Sequence, residues 1–219
     1  VLDLSDYNVK MSVSSKDDKK HLKVTLFQDR PLVVLKLAPK DPLIQKLKAF
    51  CIQQADFKMM YKLQTKLSVD HQDVKIYAGK AGPDAIAQKN TKVMIHMIPR
   101  DLGDEGKTSF EVQLRLMKQM ESKRVFLPIL EVFQYSSYYV VITKFYKGYF
   151  LSQIISADKK FTEKQAQSCA KSLLKKLQPL HEKEMLHGDL VPENIFYCST
   201  RTATEVFLVN CHLVQTRDF

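Results

Sequence analysis

The chain has 219 residues, with 34 Lys and Arg against 24 Asp and Glu, a formal net charge of +10, and 45% hydrophobic residues. That composition is globular and excludes a disordered, collagen-like or disulfide-dense chain, and the length fits one large domain or two modest ones. The basic balance favours acidic partners without deciding a fold.

Residues 1–75 mix strand-like runs, at 23–27 and 32–37, with a helical-looking segment from Asp41 to about Leu67, where Leu43, Leu47, Phe50 and Cys51 recur at helical spacing. No catalytic motif lies here, and residues 1–73 read as an N-terminal extension. The lysine-rich stretch 15–23 has no interleaved aromatics to stack bases, so it reads as a solvated turn and not as a specific nucleic-acid site. No leader of basic then apolar residues stands at the N-terminus, and the sequence reads as a mature or trimmed piece.

Three short strands are expected next, at 74–77, 85–87 and 92–97, separated by glycine, proline and polar residues. A helix follows, with Thr108 as N-cap, Glu111 three residues on, and Phe110, Leu114 and Met117 on one face. Strands are expected at 129–133 and 138–142. The strongest helix runs from Thr162 to Leu180. Its apolar face is Ala166, Cys169, Ala170, Leu173, Leu174, Leu177 and Leu180, and Thr162 and Gln165 form a capping box.

The four cysteines, at 51, 169, 198 and 211, form no CxxC pair, which argues against a zinc knuckle or a redox pair. No apolar run reaches the roughly 18 residues of a membrane-spanning helix.

After the long helix comes His187-Gly188-Asp189-Leu190-Val191-Pro192-Glu193-Asn194. This matches the protein-kinase catalytic loop H-R-D-L-x-x-x-N except that Gly188 replaces the arginine. In a kinase the aspartate accepts the substrate hydroxyl proton and the asparagine holds magnesium, and Asp189 and Asn194 keep both groups. The V-A-I-K strand aligns with Val93-Met94-Ile95-His96, placing His96 where a lysine contacts the phosphates. Glu111 is either the helix partner of that position or a capping residue. The DFG aspartate falls on Asn210, with a competing register at Asp218-Phe219. An amide there brings Mg²⁺ one carbonyl in place of a carboxylate, so metal held by Asn194 and Asn210 would be weak. The glycine loop is at best Gly79 to Gly82 followed by Pro83 and Asp84, read either as a degraded phosphate cradle or as a plain turn. Ile142 takes the gatekeeper position, and Lys144 and Tyr146 lie in the hinge.

With these residues the sequence resembles a protein kinase of degenerate type. More narrowly, it resembles the rhoptry kinase family of apicomplexan parasites, on the strand 93–99 with histidine for lysine, the helix 110–116 and the ending 206–214. The resemblance implies an α+β, two-lobed fold. Its antiparallel β small lobe with one main helix would span 74–143, its hinge 144–148, and the start of a mostly helical large lobe 149–219. Residues 1–73 would pack on the small lobe, and the chain is expected to be a fragment ending before the activation segment.

The resemblance further implies a pseudokinase secreted from rhoptries into the parasitophorous vacuole or host cell. It would act as a scaffold or allosteric partner of a host protein or an active kinase, binding ATP weakly or not at all. The alternative is an active, divergent kinase using Asp189 as base.

Overall fold

Strand-forming Val, Ile, Tyr and Phe recur in short segments between residues 8 and 144, and a computed structural model gathers nine such segments into one sheet. The structure describes residues 8–16, 19–27, 31–37, 51–53, 56–67, 74–100, 110–157, 161–199, 204–209 and 214–215; before Gln53, and at 111, 115, 199 and 214–215, it describes the backbone alone. Two units form, one of residues 1–66, 76–102 and 129–145, the other of 67–75, 103–128 and 146–219.

In the first unit β1 (Asn8–Lys16), β2 (Lys19–Phe27) and β3 (Pro31–Leu37) make an antiparallel meander. They are followed by β4 (Cys51–Gln53), β5 (Tyr61–Lys66), β6 (Lys75–Ala81), β7 (Lys92–Pro99), β8 (Ile129–Gln134) and β9 (Tyr138–Lys144). The sheet order is β3-β2-β1-β4-β8-β9-β7-β6-β5. Three-residue β4 runs parallel to both β1 and β8, so it joins the N-terminal meander to the later strands.

Two expected elements differ. Of the segment read as helical from 41 to 67, residues 41–50 and 54–55 lie outside the described residues; the described part contains β4, a 3-10 turn Phe57–Met59 and β5. Short apolar runs fit either period, and here tertiary pairing decides. Residues 85–87 are not a strand but part of the bend between β6 and β7. The Ile86 N–H, which a ladder would have used, donates instead to Glu131 Oε2 at 3.1 Å.

One face of this sheet carries Tyr61, Val93, Ile95, Phe133, Val140 and Ile142, packed with Phe57 into a core. Glu131 is buried on the same side, opposite Ile142 in the ladder. Its carboxylate accepts from Gln53 Nε2 at 2.8 Å, from the Tyr61 hydroxyl and from the Ile86 N–H. Burial and the adjacent carboxylate push the Tyr61 phenol well above its usual range, so it remains a donor. Three neutral donors from β4, β5 and the β6–β7 bend thus converge on one buried anion.

The second unit contains α1 (Phe110–Gln119), β10 (Tyr149–Phe150), α2 (Leu151–Ser156), α3 (Glu163–His181), β11 (Met185–Leu186), β12 (Ile195–Ser199), β13 (Thr204–Leu208) and β14 (Val214–Gln215). The start of α3 is the capping box expected: Gln165 N–H donates to Thr162 Oγ1 at 3.3 Å, and Thr162 N–H to Gln165 Oε1 at 2.9 Å. Thr108, expected to cap α1, lies outside the described residues.

Leu116 and Met120 pack with Cys169, Leu180, Ile195, Tyr197, Val206 and Leu208, and Val112, Leu173 and Leu177 close around them. The rest of the expected apolar face of α3, Ala166, Ala170 and Leu174, is exposed. Lys176 is buried, its Nζ donating to the Arg124 carbonyl at 2.7 Å and lying 3.4 Å from Glu205 Oε1. Burial pushes the Cys169 thiol up, and burial with the nearby Glu205 charge pushes Cys198 up to about 12, so both are protonated and inert at neutral pH.

Removing the Glu131 carboxylate strands two buried donors, on Gln53 and Tyr61, and the half-buried Ile86 N–H. Glu131→Leu is expected to destabilise the protein by about 3 kcal/mol or more, and Glu131→Gln, which keeps an acceptor, by less. The midpoints of urea unfolding curves for the two variants check this; equal midpoints for wild type and Glu131→Leu would refute the role.

Candidate functional site

The catalytic-loop segment is built by the end of α3 and the strands after it. Beyond His181 the chain turns through Glu184 at φ 54° into β11, which pairs with β14, Met185 opposite Gln215 and Leu186 opposite Val214. His187 is buried against the Phe126 ring, centroids 6.5 Å apart. Gly188 then adopts φ 78°, a left-handed conformation that glycine takes freely and that costs other residues about 1–2 kcal/mol.

This turn presents Asp189, which is half-buried. Pro192 opens the 3-10 turn Pro192–Asn194, whose last residue is fully buried. Asn194 Nδ2 donates to Asp189 Oδ2 at 2.6 Å and to the Asp189 carbonyl at 3.0 Å. The Asn194 carbonyl accepts from Val209 N–H at 3.0 Å, tying the loop to the chain after β13. Asp189 and Asn194 are therefore brought together, and Asn194 is an architectural residue as well as a motif residue.

In the first unit His96 lies on β7, buried, with Nε2 2.9 Å from the hydroxyl of buried Thr143. Burial holds the imidazole down to about 4, so it is neutral at pH 7. His96 is thus an uncharged ring engaged with a neighbouring strand.

Ladder register places Ile142 and His96 on opposite sides of the sheet. Ile142 lies opposite Ile95, fully buried in the core on that face, whereas Thr143 lies opposite Met94 and reaches His96. Successive strand residues face opposite sides, so Thr143 and not Ile142 shares the side of His96.

The two glycines are also reassigned. Gly79 is inside β6, opposite Leu63; a Cβ there would collide with Ile95 Cδ1 and lie 2.9 Å from the Lys62 carbonyl. Gly82 follows β6 and donates its N–H to the Met60 carbonyl at 2.6 Å. Both permit close packing, and neither lies in the connection between β5 and β6. That connection, residues 67–74, reads Leu-Ser-Val-Asp-His-Gln-Asp-Val and has no glycine. Its root is held where Gln153 Nε2 donates to the Leu67 carbonyl at 2.6 Å.

Lys144 ends β9 opposite Val93 and is exposed. The Tyr146 ring lies 4.7 Å from Phe207, an anchoring contact within the second unit. Glu111 is a backbone member of α1, its side chain outside the described residues, and Asn210 also lies outside them. Among the described residues no group of three His, Cys, Asp or Glu is placed to hold a metal ion.

The family comparison fits this loop and strand order. A model described as the protein kinase domain matches residues 68–208, more than half of the chain. The chain belongs to the protein kinase family. It is 29% identical over 96 residues to the serine/threonine-protein kinase TIO of Arabidopsis thaliana, covering 42% of this chain and 7% of that protein. It is 28% identical over 110 residues to a probable myosin light chain kinase of Dictyostelium discoideum, covering 50% of this chain and 35% of that one. The chain thus spans far less than two thirds of either relative.

Sequence reading missed Thr143 and the glycine-free connection. The first depends on the β7–β9 register, for which the sequence holds no local signal; counting two strands back from β7 would have found the second.

Because His96 is buried neutral in the folded chain but titrates near 6.5 when unfolded, the unfolded state binds the extra proton between those values. Stability is therefore expected to fall as pH drops from about 6.5 towards 4, by up to about 3 kcal/mol from this residue. Comparing the pH dependence of unfolding in wild type and His96→Gln checks it; identical slopes would refute it.

Proposed function

We propose that this kinase-family chain is catalytically impaired and works by binding a protein partner. The observation that carries the reading is neutral, buried His96, held on Thr143 where the family uses a phosphate-contacting lysine. Phosphoryl transfer rests almost wholly on positioning and fixed charge around the phosphates, so losing that cation lowers the rate by several orders of magnitude. The glycine-free connection at 67–74 adds Asp70 and Asp73, whose charge opposes a polyphosphate. These residues fit ATP and Mg²⁺ poorly, and any nucleotide binding is weak. Retained Asp189 and Asn194 are compatible with this, since Asn194 also organises its loop.

The resemblance to rhoptry pseudokinases supports a secreted protein, acting in the parasitophorous vacuole or host cell on a host protein or an active kinase. A second reading, an active divergent kinase with Asp189 as base, is favoured by the Asp189–Asn194 pair and by the kinase names of the relatives.

Calorimetric titration with ATP, with and without Mg²⁺, separates the two. The expected result is no heat, or metal-independent binding of about millimolar Kd, with His96→Lys strengthening it. Tight Mg²⁺-dependent binding, together with phosphotransfer abolished by Asp189→Asn, would establish the active kinase instead.

A further inference from the structure

We propose that the outer edge of β5 docks an acidic, extended segment of a partner protein, which joins the sheet as an added strand. β5 ends the nine-stranded order, and among the described residues its ladder partner is β6 alone. A terminal strand keeps a row of backbone groups able to pair with another chain.

The strand itself is basic, although Asp56 precedes it and Asp70 and Asp73 follow it in sequence. Residues 57–66 carry Lys58, Lys62 and Lys66 and no acid, and β6 adds Lys75 and Lys80. Lys58, Lys62, Lys75 and Lys80 are all exposed. Lys62 lies directly opposite Lys80, and like charges so placed destabilise a strand pair. Glutamates or aspartates on an incoming strand relieve that repulsion. The same lysines repel a second copy of a chain with net charge +10, so the edge rejects self-association and admits an acidic strand. Met59, 78% exposed just before β5, adds apolar surface at one end.

A nucleic acid could answer the lysines but not the ladder, because only a peptide supplies alternating N–H and C=O groups. The proposal does not depend on the state of the nucleotide chemistry.

The test is fluorescence anisotropy of the whole chain with a labelled peptide alternating glutamate and threonine. Saturable binding is expected, unchanged by excess ATP. It should weaken about tenfold or more in the double variant Lys62→Glu, Lys80→Glu, and less in Lys62→Gln, Lys80→Gln; circular dichroism confirms that both variants fold. Methylating alternate peptide nitrogens should weaken it as well. Absence of binding, indifference to the charge reversal or to methylation, or equally tight lysine-dependent binding of a single-stranded oligonucleotide would each overturn the proposal. Phosphotransfer activity with peptide binding intact would overturn the pseudokinase reading and leave this one standing.

Discussion

Ile95 lies opposite Ile142 in the β7–β9 ladder, and that register sets which side chains of the first unit are core and which face the other way. With it fixed, Val93, Ile95, Val140 and Ile142 join Tyr61 and Phe133 on one side. Met94, His96 and Thr143 fall on the other. The His96–Thr143 contact follows from the register, and a slip of one residue would exchange the two faces. The surroundings of His96 are thus inseparable from strand pairing.

Glu131 serves the same sheet by a different means. A buried carboxylate satisfied by neutral donors is stable only while every donor is in place. Its donors come from β4, β5 and the β6–β7 bend, so these segments are mutually constrained. The bend is irregular because its amide serves this anion and not a ladder. Gly79 and Gly82 permit the close backbone approaches that the same packing requires.

In the second unit, motif and architecture overlap. Asn194 holds Asp189 and receives the Val209 amide, while Gly188 supplies the left-handed turn that presents both. A loop with these duties has a structural reason to keep Asp189 and Asn194 whether or not phosphate chemistry is retained. The contrast lies at His96, a buried, neutral side chain that pairs with Thr143 within a regular strand.

The sequence alone determined the kinase resemblance, the motif from His187 to Asn194, and the α3 capping box. Each depends on identities at short fixed offsets, which local chemistry makes legible. Ala166, Ala170 and Leu174 show the limit: their spacing marks an apolar face, but burial depends on what packs there. Tertiary structure alone decided that Cys51–Gln53 and Tyr61–Lys66 are strands with the turn Phe57–Met59 before the second, that 85–87 is a bend, and that Thr143 and not Ile142 meets His96. It also showed that Gly79 lies within a strand. These outcomes are set by pairing between residues far apart in the chain, and short apolar runs contain no local information about which distant strand they will meet.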